Sequence, residues 1–146
     1  MKAESNANGL GLALHLLHRA GQHADEIFAT NMGASKLTPR QFAVLKAVAG
    51  SKEPSQTVLV EQTGIDRSTL ADIVRRMVDR GLLSRQRAKH DARAYVVKLT
   101  SAGQSAIKRA DPVARKTDER LLAALSVNER ASFIKALTRI LARDRD

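Results

Sequence analysis

Nine basic side chains lie between Asp66 and Lys98: Arg67, Arg75, Arg76, Arg80, Arg85, Arg87, Lys89, Arg93 and Lys98. Against them stand only Asp66, Asp72, Asp79 and Asp91, so residues 66–98 hold half of the +10 net charge of the 146-residue chain. Guanidinium and ammonium groups gathered in this way neutralise phosphates, and the hydroxyls and carboxylates between them can hydrogen-bond base edges. The chemistry implied is non-covalent recognition of double-stranded DNA. A high net charge alone would also suit an anionic surface or mere solubility. Its concentration in one segment favours DNA.

Whether these side chains act together depends on the element that carries them. Leu70, Ile73, Val74, Met77 and Val78 recur at helical spacing, with Asp66 as a helix cap before them and Gly81 as a stop after them. Projected on that helix, Ser68, Asp72, Arg75, Arg76 and Asp79 fall opposite the apolar stripe. Arg67, Ser68 and Thr69 occupy the first turn, the end of a recognition helix that enters the major groove. Ser68, Thr69 and Asp72 are candidates for base edges, Asp72 as an acceptor from a cytosine amine, and Arg75 is the candidate for phosphate. An equal alternative for Asp72 is pairing with Arg75 or Arg76 one turn on. Thr63-Gly64-Ile65 reads as a tight turn from a short helix that Pro54-Ser55 opens and that ends near Gln62. Two helices joined in this way form a helix-turn-helix.

After Gly81 the period changes. Leu82–Arg87 and Ala94–Leu99 read as two short strands, with Lys89-His90-Asp91-Ala92-Arg93 as a charged hairpin tip. Such a hairpin directly after the motif is a wing. Arg93 suits the narrow minor groove, Lys89 and His90 the sugar-phosphate backbone, and Asp91 the orientation of Arg93 or of the turn. The starts of the two helices before the recognition helix offer Arg40, Ser55 and Gln56 as phosphate anchors.

The remaining elements frame this lobe. Residues 1–9 are polar and aperiodic, a flexible N-terminus. From Leu10 to Asn31 apolar residues share one helical face, and Gly33 and Ser35 interrupt the helix. Thr38-Pro39-Arg40-Gln41 is a capping box with proline at the first helical position, followed by a stripe of Phe42, Leu45, Val48 and Ala49 up to Gly50. Thr100 caps a helix from Ala102, in which Asp111-Pro112 predicts a kink or a break. Ser126-Val127-Asn128-Glu129 is a second capping box, opening a last helix with Phe133, Ile134, Leu137, Ile140 and Leu141 facing inward. The fold class expected is mainly α with a small two-stranded β wing. Residues 10–34 and 101–146 form helices outside a winged helix-turn-helix lobe at 35–100.

Composition narrows the function classes. The hydrophobic fraction of 43% is enough for a core, and four aromatic residues, Phe28, Phe42, Tyr95 and Phe133, leave it to aliphatic side chains. There is no cysteine, which excludes disulfides, thiolate ligands and thiol redox sensing. No nucleophile with a base, phosphate loop or carboxylate pair points to an enzyme, and no cofactor is expected. The apolar stretch Leu10–Leu17 is too short to span a bilayer and lacks the pattern of a leader, so a cytoplasmic location without membrane association is expected.

Three segments, LTPRQFAVL (37–45), GIDRSTLADIVRRMVDRGLLSR (64–85) and DARAYVVKLTSAG (91–103), together resemble the MarR family of bacterial transcription regulators over essentially the whole chain. One departure is that many members carry two adjacent arginines after the wing aspartate, and Ala92 stands at the first of these positions. That departure weakens the wing contact or shifts it onto Lys89 and Arg87. The resemblance implies a homodimer in which the N- and C-terminal helices of both chains interleave, covering helices that otherwise have no clear partner. Two recognition helices related by a two-fold would read a pseudo-palindrome with half-sites roughly 10 bp apart. It also implies a repressor released by a small molecule, an aromatic carboxylate or a CoA thioester, bound between the dimer region and the DNA-binding lobe.

For that effector the sequence offers His15, Arg19 and His23, one stripe at i, i+4 and i+8. The alternative is that this stripe faces solvent or the partner subunit. Zinc ligation by these histidines lacks a completing ligand, and no metal is expected. The competing functional class is an architectural DNA-binding protein of low sequence specificity without an effector.

Overall fold

The computed structural model describes residues 11–143. The expected flexible terminus at 1–9, and Leu10, lie outside the described residues. In order along the chain are α1 (Ala13–Met32), a 3-10 turn (Gly33–Ser35), α2 (Pro39–Ala49), α3 (Gln56–Thr63) and α4 (Arg67–Asp79). Then follow β1 (Leu83–Ala88), β2 (Asp91–Leu99), α5 (Ser101–Leu121) and α6 (Val127–Arg143). This is the mainly α class with a two-stranded antiparallel sheet that the sequence indicates. Among the described residues no helix is long and apolar enough to cross a membrane.

The chain divides into two compact units. One runs from Phe28 to Ala114; the other draws on the two ends of the chain, before and after it. In the central unit the helix starts are set by side-chain caps. Thr38 accepts from the Gln41 N–H while the Gln41 side chain accepts from the Thr38 N–H, both at 3.1 Å, so the capping box is complete. Ser55 caps α3 through the Val58 N–H, and Asp66 caps α4 through the Thr69 N–H. These bonds satisfy amide groups that the helix geometry leaves without partners.

The central core joins Phe28, Leu37, Val44, Leu45, Val48 and Leu59 to Leu70, Ile73, Val74 and Met77 on one face of α4. Leu82, Leu83 and Val97 of the sheet, with Ala106 and Ala110 of α5, complete it. The α2 stripe differs in one place from the expected one. Val44 is buried and Ala49 exposed, while Phe42 is half-buried with its ring centroid 6.0 Å from that of Phe28. The larger Val44 side chain gains more from burial than a terminal alanine.

The hairpin also departs from its expected limits. β2 begins at Asp91, three residues early, leaving only Lys89-His90 as the turn. The register passes from Arg87↔Tyr95 to Ala88↔Asp91, so Ala92, Arg93 and Ala94 form a bulge opposite a single step of β1. Bulges of this kind bend a strand and re-aim its side chains. A third strand-like segment was not evident in the sequence: Ser55 bridges to Val96, and the Val97 N–H donates to the Pro54 carbonyl at 2.9 Å.

Helix α5 is not broken at Pro112, contrary to one of the two outcomes expected there. An internal proline costs about 3 kcal/mol. Ala106 and Ala110, buried just before it, and Val113 and Ala114, packed on the core just after it, hold the helix on course. The Lys46 ammonium adds an ion pair to Asp111 at 3.2 Å.

The terminal unit is different in character. Its second capping box forms as expected, with the Ser126 N–H donating to Glu129 and the Glu129 N–H to Ser126. The α6 stripe does not face inward within one chain: Phe133 and Leu137 are half-buried, but Ile134, Ile140 and Leu141 are exposed. Among the described residues every buried apolar side chain lies in the central unit, and in the terminal unit only Thr117 is buried.

Where β2 meets α5, a Cβ built on Gly103 would lie 2.2 Å from the Leu82 carbonyl oxygen and 2.8 Å from Leu99 Cδ1. Gly103→Ala should therefore cost about 1–3 kcal/mol in urea unfolding, as overpacking does. Gly50→Ala, whose Cβ would meet nothing closer than 3.5 Å, should change stability by less than about 0.5 kcal/mol. Equal effects at the two positions would remove the close approach as the cause.

Candidate nucleic-acid interface

The turn between α3 and α4 fixes how α4 is presented. Gly64 adopts a left-handed conformation at φ 70°, its N–H donating to the Val60 carbonyl. The Thr63 hydroxyl donates to the Leu59 carbonyl at 2.7 Å and accepts from the Ile65 N–H at 3.2 Å. Asp66 then starts α4, with Leu70, Ile73, Val74 and Met77 turned into the core. Ser68, Arg75, Arg76 and Asp79 are exposed as expected, with Thr69 and Asp72 half-buried at the edge of that face.

Two carboxylates organise this face. Asp66 accepts from the Thr69 N–H at 3.1 Å and from the Ser68 hydroxyl at 3.0 Å. Asp72 spends both oxygens on arginines, Oδ1 on Arg75 Nη2 and Oδ2 on Arg76 Nε, the latter at 2.9 Å. The pairing weighed for Asp72 in the sequence is thus present with both partners. Hydrogen bonds from Thr69 and Ser68 hold the Asp66 carboxyl below its ordinary range. The Arg75 hydrogen bond, with that of Arg76, does the same for Asp72. Arg67 reaches back to the Thr57 hydroxyl of α3 at 3.5 Å.

The hairpin presents a second group. Lys89, His90, Asp91 and Arg93 are all exposed. Asp91 Oδ1 accepts from the Arg93 N–H at 3.0 Å, so the aspartate orders the bulge that carries Arg93. Arg87 donates to the Ala92 carbonyl at 3.2 Å and lies 5.9 Å from the centre of the Tyr95 ring. It braces the hairpin from within. Arg40 is exposed near the start of α2 and shares an open groove with Pro39, Ala43 and the Thr63–Asp66 turn. Ser55 and Gln56, at the start of α3, are half-buried.

Sequence inspection missed how many of the counted basic groups are already engaged. Lys98 pairs with Glu53 at 3.1 Å, and Arg80 donates to the Ser35 carbonyl at 2.9 Å. Neither partner is near in sequence, so no local signal could have found them. His15, Arg19 and His23 share one face of α1, His15 half-buried and the other two exposed. Among the described residues no three histidine, aspartate or glutamate side chains gather as a metal site.

Residues 35–94 match the family model described as the MarR family. The transcriptional regulator HosA of Escherichia coli O157:H7 is 32% identical over 105 residues, which cover 72% of this chain and 78% of HosA. The chain belongs to the MarR family. It is accordingly a transcriptional regulator rather than an enzyme, with a winged helix-turn-helix fold. Two solved MarR-like structures match across both units. BpsR of Bordetella bronchiseptica, whose DNA binding is regulated by 6-hydroxynicotinic acid, has a TM-score of 0.85 at 30% identity, covering 90% of this chain and 94% of BpsR. PcaV of Streptomyces coelicolor, solved with its natural ligand, has a TM-score of 0.82 at 30% identity, covering 89% and 92%. The MarR-family match runs from the end of the 3-10 turn through the helix-turn-helix and the hairpin as far as the bulge, so it includes Ala92. With Arg87 committed to the Ala92 carbonyl, Arg93 is the arginine left on the exposed side of the bulge.

A pH dependence follows from the Asp66 cap. Because its carboxyl is held down in the folded state, the stability it contributes is fully present above the unfolded value, near 3.8. It is lost as the pH falls through the lower folded value. Asp66→Ala should lower Tm at neutral pH, with the gap to the unaltered protein closing in acid. Asp66→Asn, which also caps, should keep most of the stability without that acid dependence. A neutral-pH Tm unaffected by Asp66→Ala would show that the cap does not hold α4.

Proposed function

We propose that this MarR-family regulator is a homodimeric repressor that binds a pseudo-palindromic operator and is released by a small anionic ligand. The observation that carries the reading is the pairing of a firmly capped, core-anchored α4, polar on its outer face, with a basic hairpin directly after it. In this reading Ser68 and Thr69 face base edges, Asp72 between them and the backbone holds Arg75 and Arg76, and Arg67 and Arg75 meet the backbone at the major groove. Arg93 enters the minor groove, flanked by Lys89 and His90. Arg40, Ser55 and Gln56 anchor phosphates at the starts of α2 and α3.

Dimerisation is supported by the terminal unit. Leu14 is 70% exposed, Val127 82% and Leu141 66%, and Leu12, Leu16 and Ile140 are at least half exposed. A unit that buries so little of its own apolar surface gains its stability from a partner. Residues 10–34 and 101–146 are the proposed dimerisation helices, and 35–100 the DNA-binding lobe.

For the ligand, an aromatic carboxylate or a CoA thioester fits the cationic stripe of His15, Arg19 and His23. The action of an aromatic acid on BpsR supports the same class. A gel shift on the DNA upstream of the protein's own gene, repeated with a panel of aromatic acids and their CoA thioesters, tests both halves. Release by one class of compound, diminished in Arg19→Ala, is the expected result. Release that Arg19→Ala leaves unaltered would take the stripe out of the site.

On the DNA side, Arg93→Ala should weaken binding strongly while light scattering still reports a dimer. Arg75→Ala should weaken binding without changing which bases are preferred, whereas substitutions at Ser68 and Thr69 should change that preference. Binding should fall by roughly 10³-fold or more between 50 and 200 mM salt if six or more phosphates are contacted. A flat salt response would contradict the electrostatic basis of the whole reading.

A further inference from the structure

Asp72 is the only acidic side chain at the centre of a face that must approach a polyanion, and both its oxygens are already bound. An ion pair of this kind, within one helix and on an exposed surface, contributes little to folding. The side chains are 41% exposed for Asp72, 63% for Arg75 and 65% for Arg76. Stability is thus a poor reason for a carboxylate at this position. A role as a base reader would ask the same carboxylate to accept from a cytosine amine while it holds two arginines.

The arrangement has a different consequence. A carboxylate and a phosphate offer a guanidinium the same kind of acceptor. Arg75 gives Asp72 only Nη2 and Arg76 only Nε, so a single contact to a phosphate leaves the pairs intact, whereas a phosphate that takes a whole guanidinium must draw it away from Asp72. The carboxylate so released then faces the DNA with its charge uncompensated. At an operator, the base-edge bonds of the first turn hold α4 where single contacts from the remaining N–H groups suffice, so the pairs at Asp72 are kept. At a random sequence phosphates are the only partners, and they bind well only by taking the whole guanidinium.

We propose that Asp72 is a specificity-determining residue that competes with DNA phosphates for Arg75 and Arg76, and so weakens binding to non-operator sequences. The proposal rests on the reading of α4 as the DNA-recognition helix and adds to it a penalty against the wrong partner. Discrimination is a difference of affinities, and a repulsive element contributes to it as effectively as an attractive one. Asp72 acts through the arginines, as a positioning residue.

The test uses the full chain and two duplexes of equal length and composition. One is the sequence that the unaltered protein enriches from a randomised pool; the other is its scrambled counterpart. Asp72→Asn keeps the size of the side chain and removes its charge, and circular dichroism confirms its fold. Fluorescence anisotropy should show the scrambled duplex bound roughly tenfold more tightly, and the selected duplex less than about threefold more tightly, so that the ratio narrows. The salt slope on the scrambled duplex should steepen by about one to two phosphate contacts. In the Arg75→Ala/Arg76→Ala background, Asp72→Asn should no longer change the ratio.

Equal tightening on both duplexes, or a narrowed ratio that persists without the arginines, would overturn the proposal in favour of a plain charge effect. Weakened binding of the selected duplex, confined to one base pair, would overturn it in favour of a base reader. Enrichment of no duplex by the unaltered protein would overturn the DNA-binding reading itself, and the proposal with it.

Discussion

The arrangement of the lobe depends on one node, where the carbonyls of Gly81 and Leu82 meet Thr100. The Thr100 hydroxyl donates to the Gly81 carbonyl at 2.6 Å and accepts from the Gly103 N–H at 3.0 Å, while the Thr100 N–H donates to the Leu82 carbonyl at 3.2 Å. One residue thereby ties together the end of α4, the start of β1, the end of β2 and the first turn of α5. Gly103 belongs to the same node, since any side chain there would strike the Leu82 carbonyl. The hairpin is thus rooted at the C-terminal end of the helix whose outer face it flanks. Polar groups at the root are satisfied from within the lobe, which leaves the tip and the outer face of α4 available for a partner.

From that root outward, the electrostatics become progressively less settled. Near the base of the hairpin Lys98 is neutralised by Glu53, whose carboxyl the ion pair holds below its ordinary range. Midway, Arg87 is used on the Ala92 carbonyl and the Tyr95 ring. At the tip, Asp91 engages only a backbone amide, so the Arg93 side chain is not what holds the bulge together. Along α4 a similar division holds between Asp66, which caps the backbone and takes the Ser68 hydroxyl, and Asp72, which holds two arginines. The charge count of the segment therefore overstates what is available to a duplex. It is the position of a cation along this gradient that decides whether it braces the lobe or can leave it.

What the sequence disclosed follows the range of the interactions. The caps at Thr38, Asp66 and Ser126 were legible because each closes within three residues, and the apolar face of α4 because a helix repeats its burial every turn. The candidates on the outer face of α4 could be placed by the same periodicity. Longer-range features were hidden. The bridge from Ser55 to Val96 and the bond from Arg80 to Ser35 join segments whose proximity no local pattern encodes. The bulge at 92–94 escaped notice because alternation gives the period of a strand but not its register. At Pro112 the sequence allowed a kink or a break, and packing on either side is enough to avoid the break despite the local cost of a proline.

The stripe expected to face inward on α6 is largely exposed in one chain, and the proposed dimer would have to cover it despite a high net charge. In the proposed dimer the +10 of each chain becomes +20, which would oppose association if the charge were spread over the interface. Half of it is concentrated instead on residues 66–98, while most of the large apolar side chains that one chain leaves exposed lie in the terminal unit. Half-sites one helical turn apart set two such heads about 34 Å from each other. The screening length at physiological ionic strength is only about 8 Å. In that dimer each head would keep a strong local field for phosphates while repelling the other head little. Separation of apolar ends from a charged middle, along a chain of 146 residues, lets one short sequence meet both demands.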